Sequence, residues 1–303
     1  MLSLHKFYAM NFPIIKTTKT SARVLVFLII ALFGFLLGNL IAVALQMFMR
    51  DNQTTTFLYL SQASRQIFGF IFPPLLYAFL VREAPLDSLG IRKMPSWGLF
   101  GLMAMFTILP FNGMLGEWNE KLTLPESMQS IELILKDLQE KATQISEQML
   151  NTRSVGRLVV NIVIFGAFAA IGEELFFRSI IQKGLIRLFK NAHLGIIATA
   201  FFFSASHLEI YGLLPRFVLG LLLGYMFYLS GSVWTSIAMH FANNAAIVVL
   251  YFLNNRSIFN INVEAVGTTD NMLVICISLI VTVTIIIVCN RFRRREMSEK
   301  EQL

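Results

Sequence analysis

Residues 24–49 read VLVFLIIALFGFLLGNLIAVALQMFM, a run without a single Asp, Glu, Lys or Arg. As a helix rising about 1.5 Å per residue, it exceeds the roughly 30 Å of hydrocarbon in a bilayer. Lys16, Lys19 and Arg23 stand before it, and no small-residue cleavage site followed by a polar mature domain comes after it. It therefore reads as a retained membrane span and not as a removed signal peptide.

Further apolar runs of this kind follow along the chain. Residues 57–81 form a second around Pro73-Pro74, and 97–115 a third around Pro110. The runs 158–177, 194–207, 213–229, 233–253 and 273–289 make eight in all, so the expected fold is an all-α, polytopic bundle of about eight transmembrane helices. Over 303 residues the chain is 56% hydrophobic and 14% charged, with a mean hydropathy of +0.66. A soluble domain carries about a quarter charged residues. One integral membrane domain, 1–303, is expected, with no soluble domain beside it.

The formal charge of +7 does not imply nucleic acid, because the basic residues cluster beside apolar runs, where the positive-inside rule predicts them. With eight spans both termini share a side. If that side is the cytoplasm, it holds 16 of the 25 Lys and Arg: Lys6, Lys16, Lys19, Arg23, Arg82, Arg92, Lys93, Arg178, Lys183, Arg187, Lys190, Arg291, Arg293, Arg294, Arg295 and Lys300. The expected location is the cell membrane, multi-pass, with both termini cytoplasmic. Cys276 and Cys289 are thirteen residues apart in one apolar run, about 20 Å along a helix, too far for a disulfide.

The one long polar stretch, 116–157, is expected on the other side. Within it Ile131, Ile134, Leu138, Ile145 and Met149 recur at helical spacing among Glu, Lys and Gln, an amphipathic pattern. Thr123-Leu124-Pro125-Glu126 supplies a start signal, with a capping oxygen at Thr123 and Glu126 three residues on.

Ionisable side chains inside spans cost a few kcal/mol or more and each asks for a reason. Phe168-Ala169-Ala170-Ile171-Gly172-Glu173-Glu174-Leu175-Phe176-Phe177-Arg178 places two adjacent carboxylates at the end of the 158–177 run. Glu174 and Arg178, four apart, share a helix face and can pair, while Glu173 points about 100° away. A carboxylate neutralised by a guanidinium is a poor base, so Glu173 is the candidate general base and Glu174–Arg178 the structural pair. His207 ends Phe203-Ser204-Ala205-Ser206-His207, and His240 starts His240-Phe241-Ala242-Asn243-Asn244, with Asn244 one turn on along the same face.

Amide hydrolysis needs a carboxylate and a histidine to position and deprotonate water, and donors for the oxyanion. Glu173 and His207 suit the first task, His240 and Asn244 the second. Ser204 and Ser206 neighbour His207 on one helix and more often bond their own backbone than act as nucleophiles. Glu173, His207 and His240 also form a possible three-ligand set for a Zn2+ ion with open coordination, although no HExxH helix is present and asparagine is a poor zinc ligand. Metal dependence stays open on residue types alone.

The ordered set Glu173-Glu174-x-x-x-Arg178, Phe203-x-x-x-His207 and His240-x-x-x-Asn244 resembles the CPBP family of intramembrane proteases, across roughly 158–253. That family takes in the type II CAAX prenyl endopeptidases and the bacterial abortive-infection (Abi) and bacteriocin-processing proteins. The resemblance implies about eight membrane helices around a central, conical polar cavity. It implies water activation by Glu173 and His207 and an oxyanion hole of His240 and Asn244. Members are described both as metalloproteases and as glutamate-dependent, so the resemblance leaves the metal open. The implied partners are the lipid bilayer and a membrane-associated peptide or protein substrate; no nucleic acid is expected.

Two other readings compete. In an ion-coupled transporter the intramembrane Glu, Arg and His would be a pathway and Gly224, Pro73-Pro74 and Pro110 helix breaks, but no matched pair of interrupted spans suggests an inverted repeat. In a non-catalytic bacteriocin-immunity or partner-binding protein the complete set of four polar residues would have no use in lipid. No role is assigned to His5 or His193.

Overall fold

Small residues on one face of the first span decide how the bundle begins. In the computed structural model, helix α1 (Thr20–Phe48) buries Phe27, Ala31, Gly34, Gly38 and Ala42, one stripe at helical spacing, against α2 (Thr55–Val81). The Ser64 hydroxyl donates to the Gly38 carbonyl at 3.2 Å, a contact that a side chain at position 38 would obstruct. In lipid, where apolar surface alone gives helices no reason to associate, such close backbone approach is what holds them together. The structure describes residues 15, 19–49, 54–81 and 84–301, without the side chains of Glu264, Lys300 and Glu301. His5, Lys6, Lys16 and Arg82 lie outside the described residues.

Pro73-Pro74 does not break α2. A π-helical turn, Ile67–Ile71, directly precedes the prolines and absorbs the missing N–H bonds, so the helix runs through. Pro110 does bend its span: Ser96–Thr107 and Leu109–Glu120, together α3, meet at 42°. There the Ser278 hydroxyl accepts from Phe111 N at 3.1 Å and Thr282 bonds Thr107 at 2.8 Å, both from α9 (Met272–Glu301).

Helix α4 (Gln129–Leu150) is the amphipathic one, with Ile131, Ile134, Leu138 and Ile145 exposed. It starts later than Thr123 suggests. A 3-10 turn, Glu126–Met128, precedes it, Thr123 does not cap it, and the buried Glu132 carboxylate instead reaches back to accept from Leu124 N at 3.0 Å. Its other end is tied down by Tyr59, Arg157 and Asn161, all donating to Met149 O.

Helix α5 (Val155–Phe189) is far longer than the expected 158–177, and two π segments, Ile162–Phe168 and Glu174–Gln182, keep it continuous. Arg178 therefore lies inside the helix, fully buried, and does not count among the charges of an inner loop. Helix α6 (Ala192–Ala205) follows, then α7 (Leu213–Ser230) and α8 (Val233–Asn255). Gly224 is no break, since α7 runs straight through it.

Among the described residues six helices are long and apolar enough to cross a membrane, seven if the bent α3 counts as one span, and there are no strands. The expected eighth crossing falls on α6, whose 14 residues cover only about 21 Å. In the chain after it, Ile210 and Tyr211 bond Asn119 of α3 and Glu132 of α4. Cys276 and Cys289 are both free, as their spacing requires.

Hydrogen bonds, first from Lys136 and then from Leu124 N, hold the Glu132 carboxyl below its ordinary value of 4.5. Its contribution to anchoring α4 is thus complete above 4.5 and is lost as pH falls through the lowered value. Amide protection in the first turns of α4 is expected to be full above about pH 4.5 and to drop as pH falls through the lowered value in the wild type, and to be low throughout in Glu132→Gln, as read by hydrogen exchange.

Candidate functional site

A hairpin with arms of equal length brings the first two residues together. Lys190, in the left-handed conformation at the end of α5, stands seventeen residues after Glu173 and seventeen before His207. Helices α5 and α6 pack against each other along this hairpin, so both side chains lie at the same depth. Glu173 is thus mid-helix, not at a span boundary. His207 itself sits in the turn just beyond α6, followed by Leu208 with a φ of 56°, a conformation that costs a non-glycine residue of order 1 kcal/mol or more and is found mainly where function demands it.

Glu174 and Arg178 pair at 3.1 Å between Oε2 and Nε, both with no exposed side-chain surface. Part of the rest of the guanidinium is placed by neighbours, while Nη1 has no hydrogen-bond partner among the described residues. Its Nη2 donates to Gly220 O at 3.4 Å, and its carbon lies 4.5 Å from the centre of the Phe203 ring, a cation–π contact that replaces hydration. One turn on, the buried Gln182 donates to Gly224 O at 2.9 Å. Two side chains four apart on α5 thus meet two glycine carbonyls four apart on α7, and at Gly224 a Cβ would press within 2.8 Å of Gln182 Oε1. The signal for this in the sequence was the Gly220-x-x-x-Gly224 spacing.

His240 is buried on α8 and bridges the two carboxylates. Its Nδ1 lies 2.9 Å from Glu174 Oε1, and its Nε2 faces Glu173 Oε2 at 3.9 Å. His207 Nε2 faces the same Glu173 oxygen at 4.0 Å, while its Nδ1 lies 2.8 Å from the Phe203 carbonyl. A carbonyl and an ionised carboxylate only accept, so both Nδ1 atoms carry hydrogens, and in both rings Nε2 is the atom turned toward Glu173. Glu173 Oε2 is buried and has no hydrogen-bond partner among the described residues. Two imidazole nitrogens and one carboxylate oxygen therefore converge on one point.

A water that donates to Glu173 Oε2 and His207 Nε2 and accepts from a protonated His240 Nε2 fits these spacings, since bonds of about 2.8 Å from one oxygen leave partners about 4 Å or more apart. A tetrahedral zinc with bonds of about 2.0–2.1 Å would need its ligand atoms about 3.3–3.4 Å apart. Among the described residues no group of three His, Cys, Asp or Glu is arranged to hold a metal ion.

Asn244 lies one turn beyond His240, where its Nδ2 donates to Phe165 O at 2.9 Å and its Oδ1 accepts from Asn243 at 3.2 Å. Phe203 is the residue whose importance its position in the motif understated. Its ring packs edge-on against Phe177, His207 and His240, and its carbonyl orients His207. The serines beside it bond backbone carbonyls, Ser204 that of Leu213 and Ser206 that of Phe203.

Residues 155–246, from the start of α5 to the middle of α8, match the family model described as type II CAAX prenyl endopeptidase Rce1-like. No curated protein and no solved structure matches the chain.

Arg178→Ala leaves a buried carboxylate without its cation and is expected to cost about 3–5 kcal/mol, read as a lower melting temperature in detergent. Glu173→Gln breaks no bond in the fold and should melt close to the wild type. Equal losses in the two variants would mean that Glu173 is also structural.

Proposed function

From the premise that this is a multi-pass membrane protein with an Rce1-like protease domain at residues 155–246, we propose that it is a glutamate-dependent intramembrane endopeptidase of the CAAX type. Its substrate is a membrane-associated protein or peptide. The observation that carries this reading is the buried, unpartnered Glu173 oxygen facing the two Nε2 atoms of His207 and His240.

Water held at that point donates one hydrogen to Glu173 and the other to His207 Nε2. As its oxygen attacks the scissile carbonyl carbon, the new C–O bond forms, Glu173 takes a proton, and the carbonyl electron pair moves onto oxygen. Collapse of the tetrahedral species breaks the C–N bond, and the proton on Glu173 passes to the departing amine. The oxyanion is met by donors from Asn244 and His240. His240 can donate from Nε2 only when doubly protonated, with the Glu174 carboxylate accepting at Nδ1. Arg178 touches no reacting atom in this scheme; it positions Glu174, and through it His240.

The cell membrane with both termini cytoplasmic is the placement we propose. It is supported by Lys183, Arg187, Lys190 and the Arg291–Arg295 group lying at the ends of α5 and α9, while α4 with its acidic residues caps the opposite end of the bundle.

Purified wild type should cleave members of a membrane-peptide library, read by mass spectrometry, with or without a chelator. Glu173→Gln should lose about 10²–10⁴-fold in rate, and His207→Ala and His240→Ala should be similarly impaired while still folded. Undiminished cleavage by Glu173→Gln would remove it as the base, and loss on chelation would make the enzyme metal-dependent. A topology reporter inserted at the α3–α4 connection should report the non-cytoplasmic side; a cytoplasmic signal would invert the orientation.

A further inference from the structure

At the end of the bundle opposite α4, α9 carries four arginines beyond its apolar section, all within the helix. Arg293 and Arg294 line a cavity of about 440 Å³ between α9, α7 and the start of α6; Arg291 and Arg295 do not. The Arg293 guanidinium sits 4.5 Å from the centre of the Tyr228 ring, which fixes its direction. Among the described residues neither Arg293 nor Arg294 has a carboxylate within ion-pair distance, and the nearby Glu296 is turned away to accept from Trp97 Nε1 at 2.8 Å. Across the cavity His193 Nδ1 and Tyr225 Oη are joined at 2.8 Å, adding a polar wall. Toward the bilayer the lining turns apolar, with Ile286 and Ile287, the latter half exposed.

One oriented and one exposed cation, both without acidic partners among the described residues, a polar wall and an apolar exit are complementary to a phosphate headgroup with its acyl chains. We propose that this cavity binds one anionic phospholipid from the surrounding leaflet. The phosphate is held by Arg293 and Arg294, with the glycerol beside His193 and Tyr225 and the chains along Ile286 and Ile287. The volume suits a headgroup and the top of the chains; the remainder stays in the bilayer. The site is independent of Glu173 and its partners, so it stands whether or not the protease reading does.

The test is native mass spectrometry of the full chain in detergent, titrated with phosphatidylglycerol or phosphatidylcholine. Wild type should retain one phosphatidylglycerol and bind phosphatidylcholine at least about tenfold more weakly. Arg293→Gln/Arg294→Gln should lose that preference. Arg291→Gln/Arg295→Gln, with the same change of charge outside the cavity, should keep it. Ile287→Trp, which fills the cavity without altering charge, should lose it too and covers the case in which the double variant does not fold. Equal behaviour of the two double variants would overturn the site in favour of general attraction to a basic tail. Displacement of the lipid by inorganic phosphate alone would overturn it in favour of a soluble anion.

Discussion

An ion pair removed from water has to find every partner within the protein, and the Glu174–Arg178 pair is fully buried in a helix that crosses the membrane. Left unsatisfied, either charge would be prohibitive in hydrocarbon. The partners come from three other helices: the Phe203 ring of α6, the Gly220 carbonyl of α7 and the His240 imidazole of α8. Meeting the needs of one pair thus dictates how four helices stand together. It also explains why α7 carries glycines at 220 and 224, since α5 must come close enough for side chains to reach main-chain oxygen.

The same pair organises the candidate site. Because Arg178 keeps Glu174 in place, Glu174 can hold His240 by its Nδ1, which turns Nε2 toward Glu173. On the other side the Phe203 carbonyl does for His207 what Glu174 does for His240. The two neighbouring carboxylates have separate tasks for a geometrical reason: adjacent positions on a helix diverge by about 100°, so one faces the guanidinium and the other the two imidazoles. A backbone carbonyl as orienting partner is cheaper to place inside a membrane than a second buried carboxylate would be.

Around this centre the bundle is fastened differently at its two ends. On one side α4 lies as a strap, with Glu132 bonded to Tyr211 in the loop just after His207 and its far end anchored by three donors on a single carbonyl. The left-handed Leu208 stands between that loop and His207. On the other side, tight turns and the basic extension of α9 close the bundle, away from Glu173, His207 and His240.

Local sequence was sufficient for a membrane protein of all-α class and for most span positions, and it singled out Glu173, Glu174, Arg178, His207, His240 and Asn244 as candidates. Length and hydropathy act within a single helix, and the cost of charge in lipid singles out such residues before any contact is known. The Glu174–Arg178 pair was legible for the same reason, being a contact within one turn. The length of α5 was not, because its polar second half is buried by neighbours and reads as a loop when those neighbours are unseen. Nor was the position of His240, between two carboxylates instead of simply beside Asn244, nor the Phe203 carbonyl behind His207 as its orienting partner. Those depend on where separate helices meet, and that follows from side chains and glycines packing across the bundle, which no window along the chain contains.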